Sequence, residues 1–159
     1  MTEKPQQMYT LGIVGGTGKE GKGLAYRWLL AGHKVIIGSR QYEKAQTAVD
    51  ELVEFMGFKP EGLLGMENQA AVEACEIAVI TVPYAGHKAT LEDLKDALQG
   101  KIVIDVVVPI VPPKVSKVQM PEAGSAAQEA QAILGDACQV VDAFQNISHE
   151  RLMGKGDTD

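Results

Sequence analysis

The stretch YTLGIVGGTGKEGKGLAYRWLLAGHKVIIGS, residues 9–39, decides the fold of this chain. It begins with an apolar run of strand length, passes through a cluster of glycines, continues with apolar residues at helical spacing and ends in a second apolar run. Gly32 follows the helical segment and predicts its end. The stretch therefore predicts a strand over 9–15, a helix over 19–31 and a second, parallel strand over 34–39.

The same alternation continues through the rest of the chain. It predicts further strands over 61–66, 76–82, 101–108 and 138–144, and further helices over 42–56, 67–75, 87–100 and 126–134. Residues 109–124 hold four of the seven prolines and predict a loop. The pattern is typical of the α/β class, with a Rossmann-type, doubly wound parallel sheet in a single domain. We expect a disordered amino terminus over 1–8, the Rossmann domain over 9–153 and a polar tail over 154–159.

The composition limits the classes of partner. A net charge of −6 leaves no surplus of basic residues to neutralise phosphates, which argues against general nucleic-acid binding. Cys75 and Cys138 each lie near an apolar run, and we expect buried thiols rather than a disulfide. The sequence has no cysteine or histidine spacing typical of a metal site, and no segment approaches the ~20 apolar residues of a membrane helix. We therefore expect a cytoplasmic protein without a metal, membrane or nucleic-acid partner.

The glycine cluster GTGKEG, residues 16–21, has the GxGxxG spacing. The spacing alone is weakly specific, but here it follows a strand and opens a helix within a strand–helix–strand unit, as dinucleotide binding requires. Gly16 would allow the tight turn, Gly18 the approach of the pyrophosphate, and Gly21 the close packing of the helix on the sheet. The N–H groups that begin this helix would bind the phosphates. The alternative is a strand–helix turn that binds nothing.

The end of the second strand indicates which dinucleotide is bound. Proteins that bind NAD usually carry an acidic residue there, for the ribose 2′-hydroxyl. Here the segment IIGSRQYEKA, residues 36–45, places Ser39, Arg40 and Lys44 after the strand. Arg40 could stack on adenine and pair with a 2′-phosphate, Ser39 could donate a hydrogen bond, and Lys44 adds a positive charge. We predict NADP, although the two basic residues could instead lie on a solvated loop, and Glu43 could pair with a neighbouring base.

Apolar residues end the fourth and fifth strands at the same edge of the sheet. Val82 and Pro83 would form an apolar shelf near the ribose and the nicotinamide. Val108 ends the fifth strand and is a further candidate for contact with the cofactor. Because ligands bind beyond the carboxyl ends of parallel strands, we expect these residues in the same crevice as the glycines.

Three titratable residues near these strand ends have two interpretations each. Tyr84 and His87 could contact a ligand or only cap the loop after the fourth strand. Asp105 could act as a general base, but a carboxylate in this position more often binds backbone N–H groups or stabilises a loop. No arrangement of a nucleophile with its base stands out. This absence fits hydride transfer, in which the cofactor supplies the chemistry and the protein orients two rings.

Four segments together resemble the NADPH-dependent reductases of coenzyme F420, an 8-hydroxy-5-deazaflavin. They are GIVGGTGKEGKGLAYRWLLAGHKVIIGSRQYEKA, ACEIAVITVPYAGH, KIVIDVVVPI and GSAAQEAQAILGDACQVVDAFQNIS. The resemblance extends from Leu11 to about Leu152 and implies a Rossmann domain that binds NADP. It also implies direct hydride exchange between the nicotinamide C4 and the deazaflavin C5, with the two rings stacked face to face.

The resemblance further implies roles for individual residues. Those along the pyrophosphate would be Thr17, Gly18, Lys19 and Glu20. The polar residues after the second strand would hold the 2′-phosphate, in agreement with the charge argument, and residues 82–83 would border the nicotinamide.

The chain departs from the family pattern in two respects. Some members carry a histidine where this chain has Gln145, in the segment AFQNIS. Gln145 and Asn146 could bind the deazaflavin carbonyls, serve another substrate or cap the next short helix. The family also usually continues further, with elements that build the dimer and one wall of the deazaflavin pocket.

The sequence thus predicts an NADP-dependent oxidoreductase that transfers a hydride between NADPH and coenzyme F420 as co-substrate. One alternative is an NADP-dependent reductase of another small substrate. A second alternative is a non-catalytic module that binds NADP or a partner. A homodimer, or a partner chain in place of the carboxyl-terminal part, is compatible with each.

Overall fold

A computed structural model describes residues 6–110 and 118–154. In these residues the strands are β1 (Thr10–Val14), β2 (Lys34–Ser39), β3 (Leu63–Glu67), β4 (Ile77–Ile80), β5 (Ile102–Asp105) and β6 (Gln139–Asp142). The helices are α1 (Lys19–Leu30), α2 (Tyr42–Met56), α3 (Asn68–Ala74), α4 (Tyr84–Leu98), α5 (Ala126–Leu134) and α6 (His149–Leu152). Every strand and helix that the sequence predicts is present.

The described strands form one parallel sheet in the order β3-β2-β1-β4-β5-β6. The prediction of a Rossmann-type, doubly wound sheet in a single domain is therefore confirmed. The chain moves outward from β1 to β3 and then returns past β1 to form β4. The strand order consequently reverses between β1 and β4, and this reversal leaves a crevice outside the carboxyl ends of these two strands.

Helices cover both faces of the sheet. On one face α1 and α2 pack on residues such as Ile13 and Ile37, which are fully buried. On the other face α3, α4 and α5 pack on residues such as Ile80 and Val103, which are also fully buried. Burial from both sides explains why the central strands have almost continuous apolar sequences.

The start of α4 differs from the prediction. The helix begins at Tyr84, whereas the apolar pattern predicted a start at residue 87. Pro83 is its N-cap, in an extended conformation, and the chain becomes helical directly after it. The early start places His87 on the buried side of α4 together with Leu91 and Leu94.

Some predictions fall partly outside the described residues. The predicted disordered start includes residues 1–5 and the predicted tail includes residues 155–159, which lie outside them. Residues 111–117 of the predicted loop also lie outside. The described part of this loop is not helical, and Ile110 and Val118 form an isolated antiparallel bridge.

The cysteines agree with the composition argument. Cys75 and Cys138 are buried and free, so the prediction of buried thiols is confirmed. None of the described helices is long and apolar enough to cross a membrane. No cluster of metal-ligating side chains occurs within residues 6–110 and 118–154.

Candidate functional site

A crevice of about 770 Å³ lies outside the carboxyl ends of β1, β2 and β4. It is located where the strand order reverses, which is the usual ligand site of this architecture. The predicted site residues that line it are Thr17, Ser39, Arg40, Lys44, Val82 and Pro83. The other lining residues are Gly15, Gln41, Asn68, Ala85, Gly86 and Thr90.

Gly15 and Gly16 together make the turn after β1. The φ of Gly15 is +69°, a left-handed conformation that favours glycine. Gly16 donates its N–H to the carbonyl oxygen of Ile13 at 3.2 Å, which closes the turn, and to that of Gly38 at 2.9 Å. A Cβ on Gly16 would lie 2.9 Å from the carbonyl oxygen of Ile13, so the expected role of Gly16 in the tight turn agrees with this geometry, and Gly15 is the further glycine that the turn requires.

The space around Gly18 differs from the space around Gly21. A Cβ on Gly18 would have no heavy atom within 4 Å, so packing does not require glycine there. A Cβ on Gly21 would lie 2.7 Å from the Cα of Gly16, so Gly21 lets α1 pack against the turn. Gly18 is the N-cap of α1 and provides no side-chain cap, while Lys19 is exposed in the first turn. The first N–H groups of α1 therefore border open space and could hold an anionic group.

The polar residues after β2 form one end of the crevice. Ser39 is buried, and its Oγ accepts a hydrogen bond from the N–H of Gln41 at 3.3 Å. Arg40 and Lys44 are exposed, and neither forms an ion pair with any described acidic residue, Glu43 included. Two positive charges in a chain of net charge −6 are thus available to an anion.

Asn68 is a crevice residue that the sequence analysis missed. It opens α3 directly after β3, and its Oδ1 accepts a hydrogen bond from the N–H of Gly15 at 3.2 Å. Asn68 thereby holds the glycine turn against α3. Its position after the third strand is the signal that could identify it, because polar residues at the carboxyl ends of parallel strands are site candidates.

Two glycines of the sheet bring Asn68 to this position. A Cβ on Gly12 would lie 2.7 Å from the carbonyl oxygen of Ala71 in α3. A Cβ on Gly38 would lie 2.8 Å from Oδ1 of Asn68. The absence of these side chains lets α3 lie directly on β1 and β2.

A smaller cavity of about 290 Å³ lies beside the crevice. Val82 and Pro83 line both spaces, which therefore adjoin at these residues. The other lining residues of the smaller cavity are Glu20, Thr81, Tyr84, Val106, Val107, Val108 and Ile110. The predicted site residues Glu20 and Val108 thus line the smaller cavity and not the crevice.

Glu20 is the acidic residue of the smaller cavity. It lies in the first turn of α1, and its Oε1 is buried without a hydrogen-bond partner among the described residues. Burial raises the pKa of Glu20, and the charge of His149 opposes this rise in part. An N–H or O–H group of a ligand in this cavity could satisfy the buried oxygen.

Gln145 and Asn146 line neither of these two spaces. Gln145 donates from Nε2 to the main-chain oxygen of Asp105 at 2.8 Å and also contacts the carboxylate of Asp142. Asn146 is exposed. Gln145 therefore attaches the segment after β6 to the end of β5, and contact of these two residues with a substrate stays a prediction.

His87 and Asp105 lie behind the two spaces and line neither. Both are fully buried, and Nε2 of His87 lies 2.8 Å from Oδ2 of Asp105. Oδ1 of Asp105 accepts a hydrogen bond from the N–H of Val107 at 3.1 Å. The interpretation of Asp105 as a carboxylate that binds backbone is confirmed. Tyr84, in contrast, lines the smaller cavity.

The chain matches a family model described as NADP oxidoreductase coenzyme F420-dependent over residues 10–109. The chain belongs to this family. The matched residues include every residue that lines the crevice.

Curated relatives extend the similarity along the chain. It is 40% identical over 148 residues to the F420-dependent NADP reductase of Methanothermobacter marburgensis, which covers 90% of the chain and 66% of the relative. It is 37% identical over 149 residues to the F420-dependent NADP reductase of Methanocaldococcus jannaschii, which covers 89% of the chain and 65% of the relative. The chain thus spans about two thirds of the length of these relatives.

Solved structures share the fold at lower identity. A candidate F420-dependent NADP reductase from Arthrobacter sp. superposes with a TM-score of 0.70 at 22% identity, over 89% of this chain and 65% of that one. Prephenate dehydrogenase from A. aeolicus superposes with a TM-score of 0.57 at 20% identity, over 85% of this chain and 41% of that one.

Proposed function

We propose that this chain binds NADPH and exchanges a hydride between it and the deazaflavin ring of coenzyme F420. The relatives named above are F420-dependent NADP reductases, which supports both ligands. The observation that carries the proposal is that Val82 and Pro83 line both the crevice and the smaller cavity, so the two spaces adjoin at these residues. A nicotinamide in the crevice and a ring in the smaller cavity would meet where the two spaces adjoin.

The residues present fit NADP in three places. The free N–H groups that begin α1 and the open space beside Gly18 fit a pyrophosphate. Ser39, Arg40 and Lys44 offer a hydroxyl and two positive charges to a 2′-phosphate. Residues 82–83 offer an apolar surface to the nicotinamide.

The protein's own contribution would be to bind, orient and exclude water. When bound, NADPH would supply a hydride to C5 of the deazaflavin, while N1 of that ring would take one proton from solution. No protein nucleophile is needed for this exchange, because the two rings carry the chemistry. The apolar residues Val106–Val108 would exclude water from the smaller cavity, and Glu20 would accept a hydrogen bond from an N–H group of a bound ring.

The proposal also includes the setting of the protein. We place it in the cytoplasm, and we propose a homodimer or a complex with a partner chain. Light scattering on the purified protein measures the assembly. A reductase of another small substrate and a non-catalytic NADP module are the competing functions, and the following experiment separates them from hydride exchange with F420.

The experiment is a two-step titration of the purified protein. NADPH is added first and its binding is followed by fluorescence, with NADH as the control ligand. Oxidised F420 is then added, and the deazaflavin absorbance is followed at catalytic protein concentration. We expect preferential NADPH binding and steady loss of the deazaflavin absorbance. NADPH binding without this loss would contradict the reductase and favour a module or another substrate, while absence of NADPH binding would contradict the whole proposal.

A further inference from the structure

His87 joins three elements next to residues that line the smaller cavity. It lies in the first turn of α4 and is fully buried. Its Nε2 lies 2.8 Å from Oδ2 of Asp105, the last residue of β5. Its Nδ1 lies 3.4 Å from Oε1 of Glu129, in the first turn of α5. One imidazole ring therefore links α4 to both β5 and α5.

Both ring nitrogens of His87 face carboxylate oxygens. A neutral imidazole can donate from only one nitrogen, and the lone pair of the other would then oppose a carboxylate. A protonated ring donates to Asp105 and Glu129 at once. The geometry of this buried cluster thus favours the imidazolium, with the two acidic residues as its partners.

The surroundings of His87 support the protonated form. Burial by itself lowers the pKa of His87, but the hydrogen bonds and charges of Asp105 and Glu129 together outweigh it, so the pKa is raised. Tyr84 on α4 contacts the same acid, with its hydroxyl 3.4 Å from Oε2 of Glu129. Among the described residues, no other titratable group from the elements packed on α4 forms an ion pair or a hydrogen bond with His87.

The linked elements both line the smaller cavity. The start of α4 contributes Pro83 and Tyr84 to its lining, and the extension of β5 contributes Val106–Val108. Asp105 controls this extension directly, because its Oδ1 accepts the N–H of Val107 at 3.1 Å. The start of α4 also lines the crevice with Ala85, Gly86 and Thr90, but the end of the crevice that would hold the 2′-phosphate is formed by residues at the end of β2 and the start of α2.

We propose that His87, held between Asp105 and Glu129, is a positioning residue that sets the spacing between the start of α4 and the extension of β5 where both line the co-substrate cavity. It does not touch the ligands. This proposal rests on the proposed function insofar as the ligand of the smaller cavity is the deazaflavin. Loss of the proton from His87 releases the contact with Glu129 and loosens the start of α4 relative to β5.

The test compares Glu129→Gln with Glu92→Gln across pH. Glu129→Gln keeps a hydrogen-bond acceptor for His87 but removes one charge, and the fold should survive because the Glu129 side chain is 24% exposed. Glu92→Gln is the same chemical change on the exposed face of α4, the helix that carries His87, where Glu92 pairs with Lys88 at 3.9 Å. His87→Gln is a third variant. It removes the cation from between two carboxylates and is therefore the variant that we expect to be destabilised most.

The kinetic readout is the KM for F420 beside the Kd for NADPH. In the unsubstituted protein the KM should rise with pH by roughly fivefold to tenfold, the effect of one net hydrogen bond, while the Kd for NADPH changes less. In Glu129→Gln the inflection of this profile should move to lower pH by about one unit, because the histidine has lost a neighbouring negative charge. Glu92→Gln should reproduce the unsubstituted profile. Identical inflections in all three proteins would overturn the proposal.

A second readout keeps the test independent of the activity. Amide hydrogen exchange of residues 84–88 and 106–108, corrected for its intrinsic pH dependence, should show protection that falls as pH rises. In Glu129→Gln this fall should occur at lower pH. If the unsubstituted protein reduces no F420 but shows this behaviour, the proposed function fails and the positioning role of His87 stands. Protection that is independent of pH and unchanged by Glu129→Gln would refute the positioning role whatever the activity.

Discussion

Within the first turn after β1, neighbouring glycines serve different purposes. Gly15 adopts a left-handed conformation, Gly16 and Gly21 avoid clashes with backbone atoms, and Gly18 borders empty space. Of these four glycines, only Gly18 could carry a side chain without backbone strain or a clash within the folded chain. At the scale of single residues, the requirements of folding and of ligand binding can therefore be tested separately.

Gly18→Ala and Gly21→Ala form a matched pair for this purpose. Gly21→Ala should lower the free energy of unfolding by about 1–3 kcal/mol, because its methyl group would overlap the backbone at Gly16. Gly18→Ala should change stability much less but weaken NADPH by about tenfold or more, since the methyl group occupies the space open to the pyrophosphate. Urea denaturation and fluorescence titration measure the two effects. Equal loss of stability in both variants would contradict the assignment of Gly18.

Arg40→Ala tests the preference for the phosphorylated dinucleotide. Because only NADPH carries a 2′-phosphate, the variant should lose about 10- to 100-fold in affinity for NADPH, the value of one charge-assisted hydrogen bond, and much less for NADH. Parallel titrations with both dinucleotides give the ratio. Lys59→Ala removes an exposed positive charge outside the crevice and is the control. A similar loss for NADPH and NADH would show that Arg40 does not bind the 2′-phosphate.

The site residues that sequence analysis identified share one property: each lies beside a sequence pattern, a glycine cluster or the end of a strand, that marks its position. Ser39, Arg40 and Lys44 follow a single strand, so their common location could be predicted from the strand alone. Asn68 could not be paired with Gly15 in this way, because the two residues are 53 positions apart and meet only through the packing of α3. Contacts of this kind depend on the complete fold.

At the scale of helices and strands, boundaries with their own end signals were predicted well. α2 ends at Met56 before Gly57, whose φ is +77°, and α5 begins after Ser125, whose Oγ accepts the N–H of Gln128 at 3.1 Å. The start of α4 has no such polar cap. Its N-cap is Pro83, and no local pattern encodes the contacts of the buried His87 with β5 and α5.

Asn68→Ala tests how α3 supports the glycine turn after β1. The substitution removes the acceptor for the N–H of Gly15 and should weaken NADPH and NADH alike by roughly threefold to tenfold, the effect of one hydrogen bond. The control is Gln69→Ala, since Gln69 is exposed and bonds only to Glu73 within the same helix. Dissociation constants for both dinucleotides are measured in each variant. Unchanged affinity would mean that the turn does not need this contact.

At the scale of the whole molecule, pH links the buried cluster to stability. A group whose pKa is raised on folding binds its proton more tightly in the folded state, so its stabilising effect is complete below the unfolded pKa and is lost as pH rises through the folded pKa. For His87 the ordinary value is 6.5, and the pKa is raised above it. Burial raises the pKa values of Cys75 and Cys138 above 9.0, so these thiols contribute to the pH dependence of stability only at higher pH.

The free energy of unfolding should therefore fall as pH rises from the ordinary histidine value of 6.5 through the raised pKa of His87. Glu129→Gln should reduce this fall, because it removes one of the charges that raise the pKa of His87. Urea titrations at a series of pH values measure the effect, with Glu92→Gln expected to follow the unsubstituted protein. Parallel curves for all three proteins would show that the titration of His87 is not coupled to folding.

The strand order has a consequence for the synthesis of this protein. β2 is synthesised soon after β1 and can pair with it early. The other neighbour of β1 is β4, which begins only after Glu76. The carboxylate of Glu76 accepts a hydrogen bond from the N–H of Thr10, 66 residues earlier in the chain. At about 5–20 residues per second, a ribosome takes several seconds to cover this interval. Throughout that time the nascent chain carries a central strand with one open edge, which is the state most exposed to wrong pairing between chains. Slower decoding of the α3 segment would lengthen this interval and should lower the yield of folded protein without altering a single residue of it.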